Sequence, residues 1–211
     1  MQVRIGGGAG VSEPGFSSRI LRRFVEAAAL ELGPDQYGAM LALSGLPAEW
    51  EKPGSFRKMD IVESARTYAA LQAAMRTYFG RGARGVLLRV GQRLWHHLLD
   101  DATLGGKAQA TVIRRLPIAA RRRRALELLS RFLGAQPGDI TIHTLDLDLL
   151  LADHASPTTH GYQSKSPICY VTQGLVGESL FWATDQRHDV EETSCKARGE
   201  NTCEFKIATE K

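Results

Sequence analysis

The 211-residue sequence predicts an α+β fold. Two observations carry this. Apolar residues recur at helical spacing from Leu21 as far as Leu133, and after Gly134 and Pro137-Gly138 they alternate instead, as on strands. Helices gathered ahead of strands distinguish α+β folds from the alternating order of a doubly wound sheet.

Residues 1–14 hold Gly6, Gly7, Gly8, Gly10 and Pro14, and are expected to form a flexible leader. A dinucleotide-binding loop fits poorly there. Val3-Arg4-Ile5 is too short a strand, Pro14-Gly15 breaks the helix that should follow, and no acidic residue closes a second strand about 20 residues on. Ser17 or Ser18 can cap a first helix on which Leu21, Phe24, Val25, Ala28 and Leu32 share a face, and Gly33-Pro34 ends it. A short helix is expected over 36–43, before Gly45-Leu46-Pro47. After a loop containing Pro53 and Gly54 comes a third, over 59–79, with Ile61, Ala65, Tyr68, Met75 and Phe79 on one face. A fourth, over 83–99, repeats Val86, Val90, Leu94 and Leu98 at i, i+4 intervals. Gly105-Gly106 separates it from a fifth over 111–133, which should bend at Pro117.

Ile140 and Ile142, then Leu145, Leu147 and Leu149, alternate with one slip, which predicts a strand pair or a bulged strand. A polar loop covers 153–165. Ser166-Pro167 reads as an N-cap and first-turn proline for a helix over 168–182. Within 188–209, two extended stretches about 196–202 form a hairpin with Gly199 in its turn. The expected organisation is a leader followed by one domain over 15–211. Its helical part, 15–80, is a candidate dimerisation surface.

Composition narrows the function classes. Hydrophobic residues make up 43% and charged residues 24% of the chain, and no apolar run approaches the roughly 20 residues of a membrane span. The N-terminus lacks the charged, apolar and small-residue order of a secretory signal, so the cytoplasm is the expected compartment. The net charge of +4 owes much to four arginines at 121–124, preceded by Arg114 and Arg115. With no helix-turn-helix, zinc-finger or RNA-recognition signature beside them, they read as a solvated helix face, and direct nucleic-acid binding is not expected.

The chemistry is concentrated near the C-terminus, where Cys169, Cys195 and Cys203 are the chain's three cysteines. An odd number of thiols in a cytoplasmic protein points to metal binding or thiol chemistry before disulfides. Cys195 and Cys203 flank a tight turn that can bring two sulfurs to one ion. Glu192 lies three residues before Cys195, and in an unbroken strand the two would face opposite ways, so the strand must end or bulge for both to bind. Cys169, in the first turn of the preceding helix, would supply a third sulfur. Three thiolates and a carboxylate fill a tetrahedral zinc site and leave no open position, which makes such a site structural. On these residues alone, three separate buried thiols are an equal reading, and His188 is a chemical substitute for Glu192.

The spacing resembles the V4R (4-vinyl reductase) domain family, whose end reads as a glutamate, a cysteine, a glycine-containing turn and a cysteine followed by an apolar residue. In its aromatic-sensing members the metal ligands are a cysteine, a glutamate 23 residues on, a cysteine three later and a cysteine eight later. Cys169, Glu192, Cys195 and Cys203 match that spacing. Gly85, Gly91, Gly174 and Gly177 also look familial, and the likeness is taken to span about 15–209. The resemblance implies a structural Zn²⁺ at these four residues and the NO-signalling/Golgi-transport ligand-binding fold. It further implies kinship with the sensory domains of phenol- and aromatic-responsive activators, with bacteriochlorophyll-synthesis proteins and with vesicle-tethering subunits.

A cavity is expected between the late strands and the helix after Cys169. Tyr170, Phe181 and Trp182 would give it aromatic surface and His143 a polar handle, though aromatic residues at these places are more often plain core. His96 and His97 diverge by about 100° around a helix and are not a metal pair. Asp146 and Asp148 read as the solvent side of a strand. No catalytic residues are identified. The expectation is a non-enzymatic, zinc-stabilised module that binds a hydrophobic or aromatic small molecule, dimerises, and signals through a partner protein. A tetrapyrrole accessory or carrier, for which no hydride-cofactor site is evident, and a tethering-type adaptor are the alternatives.

Overall fold

The computed structural model describes residues 16–47, 59–134, 136–146 and 148–209. The expected leader, 1–14, and the loop containing Pro53 and Gly54 lie outside them. Helix α1 (Ser18–Leu32) starts where the Ser17 hydroxyl accepts the Arg19 amide at 3.3 Å. It stops at Gly33, whose φ of 75° favours a residue without Cβ, and Pro34 then opens α2 (Pro34–Leu43). Helix α3 (Ile61–Phe79) is capped by Asp60, which accepts the amides of Val62 at 2.9 Å and Glu63 at 2.7 Å. Helix α4 spans Ala83–Asp100.

The expected bent helix over 111–133 is two helices, α5 (Leu104–Ile113) and α6 (Ile118–Leu133). Pro117 stands in extended conformation (ψ 145°) before α6, so it interrupts the helix where a bend was expected. Thr103 caps α5 by accepting the Gly106 amide at 3.3 Å, and the two glycines therefore lie inside its first turn. The late helix, α7 (Tyr170–Thr184), starts after the expected residue 168. Cys169 occupies the cap position with non-helical φ/ψ, so it precedes the first turn.

Strands β1 (Ile140–Leu145) and β2 (Asp148–Asp153) are the strand pair, antiparallel, with Ile140 opposite Asp153. The slip in the alternation is their turn, where Asp146 has φ 51°. Strands β3 (Val190–Ser194) and β4 (Cys203–Ile207) form the second hairpin, with Gly199 at φ 95° between them. The sheet is antiparallel in the order β1-β2-β4-β3. Leu151 and Phe205, opposite each other on β2 and β4, are buried in the core shared with the helices.

Helices α4 and α7 are the central pair. A Cβ on Gly91 would meet the Val171 carbonyl oxygen at 2.2 Å, and one on Gly174 would meet that of Leu88 at 2.2 Å. The two backbones touch through reciprocal glycines. Gly85 and Gly177 have no such role, for added Cβ atoms there meet at closest an arginine side chain and nothing at all. Helix α1 flanks α4, and α6 flanks α7. Among the described residues, no helix is long and apolar enough to cross a membrane.

Candidate metal centre

Four buried residues, Cys169, Glu192, Cys195 and Cys203, bring one ligand atom each within 4.8 Å of one another. Each arrives from a different local feature. Cys169 caps α7. Glu192 lies on β3, where the register with β4 shifts between Glu192 and Ser194, and the strand then ends before Cys195. That irregularity lets Glu192 and Cys195 face the same point, as their spacing required. Cys203 opens β4 opposite Asp153.

The Cys169 sulfur lies 3.5 Å from that of Cys203 and 4.0 Å from that of Cys195. Thiolates at tetrahedral corners about 2.3 Å from a zinc ion would stand about 3.8 Å apart, so the spacing suits an ion at the centre. Backbone amides organise the rim. The Cys169 amide donates to Glu192 Oε2 at 2.9 Å, the Lys196 amide to the Cys203 sulfur at 3.4 Å, and the Cys195 amide to the Glu200 carboxylate. Glu192 Oε1 is buried and has no hydrogen-bond partner among the described residues. A lone buried carboxylate oxygen beside three sulfurs is what an absent cation would leave behind. These residues could hold a metal ion, and the donor set fits one.

The protonation pattern follows from crowding. Hydrogen bonds from Cys169 and Cys203 pull the Cys195 thiol well below its usual range. Cys169 is pushed well above its range by the same contacts with Cys195 and Cys203 and by burial. For Cys203 the Cys169 contact pulls down, but Cys195 and burial outweigh it and push the thiol up to about 12. Burial and the Cys195 contact lift Glu192 to about 8. The metal-free cluster thus concentrates its charge on Cys195, and an ion must displace protons from the others.

The alternative ligand and the pocket candidates lie elsewhere. His188 approaches Thr184 Oγ1 at 3.3 Å and is not part of the cluster. His143 is exposed on β1, 2.9 Å from Thr141 Oγ1. Phe181 lies under the Arg187 guanidinium, 4.0 Å from ring centroid to Cζ, and Trp182 packs edge-on to Trp95 at 5.5 Å. Tyr170 lines a shallow depression with Arg84, Gln173 and Glu192. These four side chains do not meet in one cavity.

A different cavity, about 20 Å³, is lined by Phe16, Tyr68, Ile140, Asp153, Thr172 and Leu175, among others. Burial lifts the Asp153 carboxyl to about 7, although the Ala155 amide donates to it at 3.1 Å. The cavity is close to the cluster. The Ser156 hydroxyl reaches the Cys169 sulfur at 3.7 Å, and Gln72 Nε2 donates to Thr158 Oγ1 at 3.2 Å beside it. Sequence reading missed this wall. Its signal was Tyr68, which lines the cavity, followed by Gln72 and Arg76 at i+4 and i+8 on a face of α3 that also carries core residues.

The arginines at 121–124 are largely engaged on α6. Arg123 and Arg124 both pair with Glu127, at 3.0 and 2.6 Å, and Arg121 donates to the carbonyls of Leu116 and Ala183. His96 meets Glu178 at 3.0 Å, away from the thiol cluster.

No curated protein matches the sequence. The fold is similar to an H-NOX protein from S. oneidensis in the Fe(II)NO ligation state, with 14% identity, a TM-score of 0.53, and coverage of 92% of this chain and 99% of that one. A mutant of that protein in the Fe(II) state gives 13% identity, a TM-score of 0.53, and coverage of 92% and 96%. At such identities the likeness is one of fold. The phenol-responsive sensory domain of the transcription activator PoxR, with phenol, aligns at 15% identity and a TM-score of 0.48, over 66% of this chain and 73% of that one. The V4R domain family matches residues 153–209, a narrower stretch than the 15–209 expected, and it contains all four cluster residues. That C-terminal part of the chain, which carries the cysteine and glutamate cluster, is similar to the V4R domain.

Proposed function

We propose that this chain is a small-molecule-sensing domain in which Zn²⁺, bound by Cys169, Glu192, Cys195 and Cys203, fastens the start of α7 to the β3–β4 hairpin. The observation that carries the reading is the convergence of four buried donors within 4.8 Å, one of them with a partnerless oxygen. A closed set of four protein ligands leaves no position for substrate, so the metal's role is structural. The V4R match, and a fold shared with an H-NOX protein described with NO on Fe(II), support a domain built around a small ligand.

The ligand site in this reading is the cavity between α3, α7 and the sheet. It offers apolar walls and the polar groups of Tyr68, Asp153 and Thr172, a composition suited to a small hydrophobic or aromatic molecule with one hydrogen-bonding end. At about 20 Å³ it has room for about one water molecule, so a ligand enters only as α3 and its neighbours move away from α7. That movement is the signal, passed to a partner or across a dimer formed by the N-terminal helices in the cytoplasm.

Metal analysis of the purified chain tests the first part. One zinc per chain is expected, lost in Cys195→Ser and Cys203→Ser together with much of the thermal stability. Metal-free protein of unchanged stability overturns it. For the second part, native mass spectrometry should find a small apolar molecule carried by the chain, released by Thr172→Phe, which fills the cavity.

A further inference from the structure

Occupation of the cluster creates a charge problem, and one residue outside it answers the problem. Three thiolates and a carboxylate around a divalent ion leave two net negative charges in a site whose four donors are buried. Uncompensated charge in such surroundings is costly. Two cations on the hairpin side stand at the solvent-facing rim, where water screens their charge. Lys196 Nζ donates to the His154 carbonyl at 2.6 Å, and Arg84 is exposed at the rim of the depression beside Glu192.

Arg76 comes from the other side. It is the last member of the Tyr68, Gln72, Arg76 series on α3, one turn beyond the Gln72–Thr158 hydrogen bond. Its guanidinium lies over the Tyr162 ring, 5.7 Å from the centroid, and its Nη1 is buried with no hydrogen-bond partner among the described residues. Tyr162 belongs to the loop whose Ser164 amide donates to the Ala197 carbonyl at 2.9 Å, within the turn between Cys195 and Cys203, which sets Arg76 beside the cluster. Burial pulls the guanidinium down from its usual range, and Cys169, Tyr162, Tyr170 and Cys195 push it back up. A half-buried guanidinium with an idle donor is unfavourable in the metal-free protein. It has a reason to be there if a strong negative charge forms beside it.

Resting on the metal reading above, we infer that Arg76 is the counter-charge of the loaded metal centre: a positioning residue on α3 that stabilises the dianionic three-thiolate, one-carboxylate cluster and ties α3 to its occupancy. The ligands hold the ion by bonds. Arg76 acts through its field and its idle N–H, and so couples the helix that walls the cavity to the metal.

The test is zinc affinity, measured by competition with a chromophoric chelator, together with the thiolate-to-metal absorption of the cobalt-substituted protein. Arg76→Met, which keeps the packing over Tyr162 and removes the charge, should bind zinc about 10-fold to 100-fold more weakly. Arg76→Lys, which keeps the charge, should recover most of that loss. In the metal-free state Arg76→Met should be as stable as the parent or more so, because a half-buried cation with an unpartnered Nη1 has gone. Equal zinc affinity in Arg76→Met and parent overturns the inference while leaving the metal site standing. A variant equally destabilised with and without metal also overturns it, since that marks a packing role. A parent that binds neither zinc nor cobalt defeats the metal reading itself, and this inference with it.

Discussion

At the scale of single residues, the cluster and its surroundings are governed by where protons are held. Cys169 and Cys203 are pushed up and Glu192 is lifted to about 8, so binding a divalent ion expels protons. Metal affinity should therefore fall steadily on acidification from pH 8 to pH 6, with proton release measurable by calorimetry in buffers of different ionisation enthalpy. A pH-independent affinity would contradict the assignment of thiolate ligands. Asp153 behaves in the opposite sense from a salt-bridged acid. Its folded value of about 7 lies above the ordinary one, so the native state binds the extra proton and stability falls as pH rises from about 4 to 7. Asp153→Asn keeps an oxygen for the Ala155 amide. It should gain stability over the parent as pH rises through that window, by a few kcal/mol at most, and show no gain near pH 4. Denaturant melts at both pH values check this. These proton affinities could not be read from the sequence, because Asp153 looks like any strand-end acid until β4 places Cys203 opposite it.

The element scale separates what local pattern determines from what packing determines. Helices α1, α3 and α4 follow from spacing and punctuation, since Gly33-Pro34 and the i, i+4 apolar series act within one turn. The break between α5 and α6 was harder to place, because a proline after a long apolar pattern signals either a kink or a stop. Cys169 at the cap of α7, ahead of its first turn, was not legible either. Its amide is directed by Glu192, 23 residues away, and that contact outweighs the local preference of Ser166-Pro167. The cluster itself was legible as a spacing, and the β3 irregularity between Glu192 and Ser194 was foreseen as a requirement. The glycines divide by environment. Gly91→Ala and Gly174→Ala drive a methyl into a backbone carbonyl and should each cost about 1–3 kcal/mol or more. Gly177→Ala, in open space on the same helix, should gain about 0.5–1 kcal/mol. Chemical denaturation distinguishes them, and equal effects at all three positions would refute close packing of α4 on α7.

For the molecule as a whole, the helices and the sheet share one apolar core, and the β3–β4 hairpin meets α7 both at the cluster and where Gln173 Nε2 donates to the Val190 carbonyl at 2.5 Å. If the cluster holds zinc as proposed, stripping it with a chelator should accelerate hydrogen exchange in β3, β4 and the first turn of α7. Protection in α1 and α4, whose buried faces lie among other helices, should change little. A uniform loss of protection would mean that the ion supports the global fold.

The reciprocal glycines of α4 and α7 bear on how such a molecule can move. At Gly91 and Gly174 no side chain stands between the two backbones, so a shift of one helix there would drive its backbone into the other. The pair works as a fixed double beam. On the proposed reading, the strain of a filling cavity would fall on α3, whose Tyr68 lines it. In that reading the beam is the fulcrum, and α3 is the lever.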